Sequence, residues 1–503
     1  MNVLIVSSEC DPLVKVGGLA DVVGSLPKAL INLGVNPVVV IPAYKPLIDQ
    51  NPNLFKQLIT NTDILYSKKN ELVSVYKTNI PNTKVPVYLL KNEKYLSNKG
   101  IYFDPSSFAS NQEEIERFAF FSKAVDTIFI ENTIDNLNFD IVHCNDWHTG
   151  MIPHLVKKRS EKSSNVSGKS NMYKRPRTVF TIHNLSNQGF SSIDVIQKFG
   201  ENINKSKLIE WDALDNNIDF ILQGIVSADY INTVSPNYAA EIQTPWYGEG
   251  LDQIIKSRGS RISGILNGID YSIWNPKTDT KIYKQYDKNS LEIKKENKIG
   301  LLKELNLLKH APSEDAPVIS LISRLTYQKG IDLVNRSLKE ILDLGVYVII
   351  LGTGDPSLEN KLRMSAQELK KQGYANISLI LEFNSDLARK IYAGSDMFLI
   401  PSRFEPCGLT QMIAMRYGTI PIVRKTGGLA DTVESGVTGF LFEKFNHLEF
   451  IYAIKRAISY YKNKSAWHTI ILNAMIKDFS WKESAKKYVE LYKITANLLT
   501  PPL

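Results

Sequence analysis

Short apolar runs alternate with longer amphipathic segments in both halves of this chain. In the first half, an apolar run at residues 3–6 leads through a glycine-containing loop into a helical pattern at 21–33, and a second apolar run follows at 38–41. The second half repeats this order, with an apolar run at 318–322, a basic loop, a helical pattern at 331–344 and an apolar run at 346–351. Strands that alternate with helices predict parallel, doubly wound α/β sheets, whose ligands bind beyond the carboxyl ends of the strands.

The length of the chain predicts two domains. At 503 residues it exceeds what one hydrophobic core ordinarily supports. We place the boundary within residues 263–274, which gives a first domain at 1–264 and a second at 265–483. The segment 157–175 is rich in Ser, Lys and Asn and predicts an exposed loop inside the first domain.

A turn at residues 403–410 carries the clearest candidate chemistry. It follows an apolar run at 396–400 and precedes a helical pattern at 411–417. Gly408, Leu409 and Thr410 can direct their N–H groups outward, where a helix N-terminus favours an anion such as a diphosphate, and Glu405 would lie at the rim of that site. Taken alone, the same residues could form an ordinary turn with a surface carboxylate.

Two further loops supply cations near strand ends. Lys15 stands beside Gly17 and Gly18, a combination that allows close backbone approach to phosphate or sugar oxygens. Arg324 and Lys329 precede the helix at 331–344, where they could stabilise the charge on a departing diphosphate without a metal. The alternatives are a tight turn in the first loop and ordinary solvated basic residues in the second.

Two histidines follow apolar runs in the first half, His148 at the end of one and His183 at the end of the next. A lone histidine there is as often structural as catalytic, and neither spacing resembles a metal site. The Gly352-Thr353-Gly354 turn lacks the third glycine of a dinucleotide fingerprint, and no Gly-x-Ser-x-Gly elbow of a serine hydrolase occurs.

Composition narrows the class of protein. Apolar residues make up 43% of the chain and charged residues 22%, as in globular proteins, and no run is long enough to span a membrane. The net charge of +8 is spread over scattered lysines without a nucleic-acid module, so we expect neither nucleic acid nor a membrane as a partner. Three widely spaced cysteines indicate a reducing compartment. Because the chain starts directly on a strand, we expect the cytoplasm, or a plastid if a leader peptide has been trimmed.

Taken together, the motifs resemble those of bacterial glycogen synthases and plant starch synthases. The resemblance runs from near the start to about residue 450 and is carried by seven motifs: 15–22 (KVGGLADV), 146–148 (DWH), 182–185 (IHNL), 266–270 (LNGID), 323–325 (SRL) with 328–330 (QKG), 405–411 (EPCGLTQ) and 426–433 (TGGLADTV). It implies the GT-B fold, in which two Rossmann-like doubly wound domains face an interdomain cleft. It also suggests that a last helix, at 484–503, packs back on the N-terminal domain.

The resemblance further implies a reaction. Such enzymes transfer glucose from ADP-glucose to the non-reducing end of an α-1,4-glucan, with retention and release of ADP, and need no cofactor or metal. The implied catalytic residues are Lys15, His183, Arg324, Lys329 and Glu405. The implied donor-binding residues are Gly17, Gly18, Phe383, Cys407, Gly408, Leu409 and Thr410, and the implied glucose- or acceptor-binding residues are Asp21, Asp146 and Asn267.

One departure from the family pattern concerns the donor. Phe383 stands where the family usually has a tyrosine near the adenine, which keeps the ring and removes a hydroxyl. A UDP-glucose-dependent glucosyltransferase of the same fold is therefore an alternative. A second alternative is a glucan-binding relative without turnover, although it would not need Lys15, Arg324, Lys329 and Glu405 together.

Overall fold

The computed structural model describes residues 1–102, 112–131, 134, 137–166, 175–200, 207–308 and 313–498, with the side chains of 160–166 and 207–208 excepted. The chain forms two compact units. The first comprises Met1–Gly268 and Trp481–Leu503, and the second comprises Ile269–Ser480. These limits lie four and three residues from the boundaries that the sequence suggested, after 264 and after 483.

The first unit contains a nine-stranded sheet and a separate two-stranded one. Its strands are β1 (Asn2–Val6), β2 (Asn36–Pro42), β3 (Leu58–Tyr66), β4 (Lys69–Asn79), β5 (Pro86–Lys91), β6 (Ile141–Asn145), β7 (Arg177–Ile182), β8 (Phe190–Ser192), β9 (Asn217–Asp219), β10 (Tyr230–Thr233) and β11 (Ile262–Gly264). The large sheet has the order β11-β10-β7-β6-β1-β2-β5-β4-β3, and β8 pairs with β9. All neighbours in the large sheet are parallel except β3 with β4 and β4 with β5, so an antiparallel edge that the strand and helix pattern did not predict extends the parallel sheet.

Helices cover the strands of this unit, and one of them comes from the C-terminus. They are α1 (Gly18–Ile31), α2 (Lys45–Gln50), α3 (Gln112–Val125), α4 (Met151–Val166), α5 (Asp194–Lys198), α6 (Lys207–Asp212), α7 (Phe220–Ser227), α8 (Pro236–Glu241), α9 (Asp252–Ser257) and, after the second unit, the C-terminal helix (Trp481–Ala496). The C-terminal helix buries Trp481, Tyr488 and Tyr492 in the same core as Val3 and Ile5 of β1. Tyr492 also contacts the sheet directly, with its hydroxyl 2.8 Å from Nδ1 of His143 in β6.

The second unit is a six-stranded parallel sheet with its own helices and core. In chain order its elements are α10 (Lys294–Glu304), β12 (Val318–Ile322), α11 (Ile331–Asp343), β13 (Tyr347–Leu351), α12 (Pro356–Lys371), β14 (Ile377–Ile380), α13 (Ser385–Gly394), β15 (Met397–Ile400), α14 (Thr410–Arg416), β16 (Ile420–Arg424), α15 (Gly427–Thr432), β17 (Phe440–Phe442), α16 (His447–Lys462) and α17 (Lys464–Ile476); the C-terminal helix of the first unit is α18. The strand order is β14-β13-β12-β15-β16-β17. Counted within the unit this is 3-2-1-4-5-6, the order of the Rossmann fold, whose switch point lies between the first and fourth strands.

One local prediction was wrong. Residues 157–166 continue helix α4 rather than starting an exposed loop, because the apolar residues at the start of α4 are buried and the polar segment extends the same helix. The remainder of the predicted loop, 167–174, lies outside the described residues. Among the described helices, none is long and apolar enough to cross a membrane.

Candidate active site

In the first unit, the glycine loop before α1 is held by a buried carboxylate. Glu9 is 3% exposed, and its Oε2 accepts the N–H groups of Val16 at 2.6 Å and Gly17 at 2.9 Å. The Tyr102 hydroxyl donates to the other oxygen of Glu9 at 2.6 Å. The loop is therefore fixed from inside the protein, whereas a Cβ added to Gly17 would meet no atom within 4 Å, which leaves that side of the loop open to a ligand.

The cation of this loop, Lys15, is partly exposed and forms an ion pair with Asp21 in α1. Its Nζ lies 2.5 Å from Oδ1 of Asp21 and 3.7 Å from Oδ1 of Asp11. Burial raises the pKa of Asp21, and the neighbouring Lys15 partly offsets that rise. Because Gly18 begins α1 and Asp21 lies in its first turn, the structure brings together all four residues predicted for this loop.

Asp146, at the carboxyl end of β6, has a strained backbone conformation. Its φ of 58° and ψ of 178° fall in a region that residues other than glycine rarely adopt, and such strain is concentrated at functional sites. Oδ1 accepts the N–H of His183 at 2.7 Å, so the ends of β6 and β7 are tied together. Burial raises the pKa of Asp146 to about 7.

His183, at the end of β7, is held as a neutral ring. Its Nε2 lies 2.9 Å from Oδ1 of Asn145, while Nδ2 of Asn145 donates to the Val6 carbonyl at 3.1 Å. Since Asn145 uses its amide nitrogen on Val6, its oxygen must accept, and His183 carries its proton on Nε2. Burial lowers the pKa of His183 to about 3, so the imidazole is neutral near pH 7.

Asn267 carries a buried polar atom without a protein partner. The residue is 5% exposed, and its Oδ1 accepts no hydrogen bond from any described residue. Leaving a buried acceptor unsatisfied costs about 1–3 kcal/mol, so such an atom in a native structure usually has a ligand or a water as its partner. The sequence prediction that Asn267 contacts a sugar fits this arrangement.

In the second unit, Lys329 and Glu405 meet at the switch point of the sheet. Lys329 follows β12 and Glu405 follows β15, and these strands are neighbours. Nζ of Lys329 donates to Oε1 of Glu405 at 2.8 Å and to Oε2 at 2.6 Å, and the Ser402 hydroxyl donates to Oε2 at 2.9 Å. The Lys329 side chain is 20% exposed and that of Glu405 is 8% exposed, so the pair is largely shielded from water.

The backbone around Glu405 is fixed by the glycines that begin α15. Gly428 donates its N–H to the Glu405 carbonyl at 3.1 Å. A Cβ on Gly427 would lie 1.9 Å from that same carbonyl oxygen, and its φ of 44° is itself unfavourable for other residues. Gly427 therefore allows the close packing that sets the position of Glu405.

The turn after Glu405 presents several N–H groups. Within the described residues, the N–H groups of Gly408, Leu409 and Thr410 donate no hydrogen bond. Gly408 has a φ of 72°, and Nε2 of Gln411 donates to its carbonyl at 2.7 Å and to that of Cys407 at 3.1 Å. The turn is thus fixed through its carbonyls while its amides stay available to an anion.

Arg324 and Phe383 are presented on the surface of the second unit. Arg324 is exposed, and within the described part of the chain its guanidinium makes no hydrogen bond or ion pair. Phe383, in the segment after β14, is 90% exposed. An exposed cation and an exposed aromatic ring are each available to a ligand.

His148 is packed among aromatic rings. It is 5% exposed, its ring stacks on Trp147 with centroids 4.2 Å apart, and it meets the edge of Phe118 at 4.5 Å. Burial lowers its pKa to about 3. Its Nδ1 is buried and has no hydrogen-bond partner within the described residues, so His148 combines aromatic packing with a polar atom that is available to a ligand.

The structure adds supporting residues that the sequence did not single out, notably Glu9, Asn145 and Ser402. Each is a polar residue that lies close to a motif, but only the fold shows which motif atom it contacts. Within the described residues, no group of three or more His, Cys, Asp or Glu side chains could hold a metal ion.

Comparison with known proteins identifies the family. A family model described as the starch synthase catalytic domain matches residues 2–257, and one described as glycosyl transferases group 1 matches residues 303–470. A glycogen synthase from Thermosipho melanesiensis is 41% identical over an alignment of 512 residues, which covers 98% of each chain. A glycogen synthase from Kosmotoga olearia is 43% identical over an alignment of 508 residues, which covers 99% of this chain and 98% of the relative.

Two solved structures share the fold of this chain. The catalytic domain of starch synthase IV from Arabidopsis thaliana, bound to ADP and acarbose, matches with a TM-score of 0.82 and 30% identity over 99% of each chain. A sucrose-phosphate synthase from Thermosynechococcus elongatus shares the fold, with a TM-score of 0.59 and 16% identity over 98% of each chain.

The two Rossmann-like units and these matches define a glycosyltransferase with the GT-B fold, as the sequence motifs predicted. Within that class, the chain belongs to the glycogen and starch synthase family, and its activity is the extension of a glucan from a nucleotide-sugar donor.

Proposed function

We propose that this enzyme transfers glucose from ADP-glucose to the non-reducing end of an α-1,4-glucan, with retention of the anomeric configuration and release of ADP. The observation that carries the proposal is the shielded Lys329–Glu405 pair at the switch point of the second sheet, beside a turn with three available amides. The Arabidopsis starch synthase IV that this chain resembles was solved with ADP and acarbose bound, which supports an adenine nucleotide donor and a glucan-like acceptor.

Residues of the second unit would bind the donor. An ammonium group has three donors, and Lys329 gives two of them to Glu405, so the third remains for a diphosphate oxygen. Arg324 would add a second cation. The amides of Leu409 and Thr410, which directly follow Cys407 and Gly408, would bind the phosphates. Glu405 would accept hydrogen bonds from glucose hydroxyls, and Phe383 would stack near the adenine.

Residues of the first unit would complete the recognition. Lys15 would bind the diphosphate with help from the open backbone at Gly17 and Gly18. Asp21, Asp146 and Asn267 would hydrogen-bond the donor glucose or the acceptor. The His183 carbonyl would face the anomeric carbon, and the Asp146 bond to the His183 amide would fix that peptide.

Retention is proposed to proceed by attack on the face that the diphosphate leaves. The glucosyl group would pass through an oxocarbenium-like transition state, and an oxygen of the departing phosphate would take the proton of the acceptor hydroxyl. The bond from the anomeric carbon to the diphosphate breaks as the bond to the acceptor oxygen forms. Cations and amides directed at the diphosphate stabilise the charge that develops there. We propose that neither a metal nor another cofactor takes part.

The test is transfer of labelled glucose from ADP-glucose and, separately, from UDP-glucose onto glycogen, with EDTA present. Incorporation from ADP-glucose with ADP as the product is the expected result. Preference for UDP-glucose would contradict the proposed donor and would direct attention to Phe383. Glucan binding without transfer from either donor would instead indicate a relative that has lost turnover, and loss of transfer on EDTA treatment would contradict metal independence.

A further inference from the structure

A groove on the second unit lies apart from the residues assigned to catalysis. It has a volume of about 330 Å³ and is formed by residues of β17, by the segments that follow β16 and β17, and by one face of α16. The polar side chains of its lining are Lys425, Ser435, Glu443, Glu449, Tyr452 and Arg456, and we call it the α16 groove. β17 is the edge strand and lies two positions from β15, which precedes Glu405, a separation of about 10 Å at the usual strand spacing.

The groove presents an aromatic ring beside a fixed guanidinium. Tyr452 is 64% exposed. The guanidinium of Arg456 lies 5.9 Å from the centre of the Tyr452 ring and 5.7 Å from that of Phe440, and it donates to the Ser435 hydroxyl at 3.1 Å. Because these contacts hold the guanidinium in place, its remaining N–H donors are pre-positioned for a ligand.

The charges of the lining are balanced. Lys425 and Arg456 supply two cations, Glu443 and Glu449 supply two carboxylates, and Lys425 pairs with Glu443 at 3.0 Å. A site for a phosphate or a nucleic acid would have an excess of cations, and a site for an apolar partner would have a lining without charges. A balanced set of donors and acceptors suits a neutral ligand, and the exposed ring suits one that also has an apolar face.

A chain of glucose units has these properties. Each hydroxyl both donates and accepts hydrogen bonds, and the C–H face of each ring can pack on an aromatic side chain. We propose that the α16 groove is a second glucan-binding site, which holds a segment of the polymer away from the reacting chain end. The inference rests on the proposed function, because a glucan is the neutral polymer that the enzyme would meet. Binding at a second point raises the effective concentration of chain ends at the catalytic residues.

The test separates binding at the groove from catalysis. Wild type, Tyr452→Ala, Tyr452→Phe and Arg456→Ala are compared for retardation by glycogen in native gels, without donor. Transfer to glycogen and to a short malto-oligosaccharide is then measured for each. The matched control is Leu448→Ala, because Leu448 is 79% exposed, lies one turn before Tyr452 on the same helix and does not line the groove.

We expect Tyr452→Ala and Arg456→Ala to weaken glycogen binding about fivefold or more and to raise KM for glycogen, with the turnover number on the short acceptor unchanged. Tyr452→Phe should keep most of the affinity because it keeps the ring, and Leu448→Ala should resemble wild type. Unchanged retardation of both alanine variants would overturn the proposal. If the two alanine variants instead lose retardation by heparin and keep retardation by glycogen, the groove binds an anionic polymer and the proposal is overturned.

The outcome is independent of the donor assignment. If glycogen binding depends on Tyr452 while ADP-glucose is not used, the groove is supported and the proposed donor is wrong. If ADP-glucose is used while glycogen binding does not depend on Tyr452, the proposed donor is supported and the groove is not a glucan site.

Discussion

Replacing Lys329 by alanine is expected to reduce both stability and activity, for two separable reasons. The side chain makes two short ionic hydrogen bonds to Glu405, and the two side chains are 20% and 8% exposed. Truncating one partner of a fully buried pair costs about 3–5 kcal/mol, whereas an exposed pair contributes about 0–1 kcal/mol. With this intermediate exposure, we expect Lys329→Ala to lower the free energy of unfolding by about 2 kcal/mol.

Most of that loss comes from the carboxylate that is left behind. In Lys329→Ala, Glu405 keeps the hydrogen bond from Ser402 but loses its counter-charge. A second change, Glu405→Gln, removes the negative charge and should restore at least half of the lost stability. Urea unfolding of both single variants and of the double variant measures this directly.

Activity should respond differently. Loss of one donor to a developing negative charge typically costs about a hundredfold or more in turnover. We expect a loss of this size in Lys329→Ala at saturating ADP-glucose, and Glu405→Gln should not rescue it. Arg324→Ala is the matched control, because Arg324 is exposed and unpaired within the described residues, so its loss should reduce turnover similarly and leave stability within about 0.5 kcal/mol.

Three results would refute this reasoning. Wild-type stability of Lys329→Ala would mean that the pair is not shielded as the structure indicates. Recovery of turnover in the double variant would mean that the loss in Lys329→Ala comes from the uncompensated Glu405 carboxylate and not from a missing contact to the diphosphate. Full turnover in Lys329→Ala at saturating donor would remove this residue from the catalytic set.

Three further predictions concern single residues. Phe383→Ala should raise KM for ADP-glucose severalfold in transfer assays without lowering the unfolding midpoint, because the ring is 90% exposed; an unchanged KM would remove Phe383 from the donor site. Gly427→Ala should lower the thermal midpoint and the activity, because its Cβ would lie 1.9 Å from the Glu405 carbonyl oxygen; wild-type values for both would contradict the packing described. Burial lowers the pKa of His148 from 6.5 to about 3. Below pH 6.5 the unfolded chain therefore binds a proton that the folded protein does not bind, and the free energy of unfolding falls by up to about 1.4 kcal/mol per pH unit. His148→Phe should therefore reduce the difference in unfolding free energy between pH 7.5 and pH 5, whereas a change at the exposed His468 serves as the control; equal differences in wild type and variant would contradict the assignment.

Local pattern predicted several of the elements that carry the motifs. The apolar run at 318–322 coincides with β12, because a continuous apolar run indicates a strand that is buried on both faces. The helical pattern at 331–344 differs from α11 by one residue, and Gly330 marks the start of that helix. The polar end of α4 was missed for the opposite reason, since residues 157–166 carry little apolar periodicity that could indicate a helix.

The sequence by itself determined the fold class and the motifs, because strand and helix patterns and glycine turns depend on neighbouring residues. Only the tertiary structure decided which polar atoms meet. Lys329 and Glu405 are 76 residues apart, and they pair because β12 and β15 are neighbours at the switch point. Asp146 reaches the His183 amide for the same reason: parallel strands bring their carboxyl ends to one edge of a sheet, and the order of strands is a property of the whole unit.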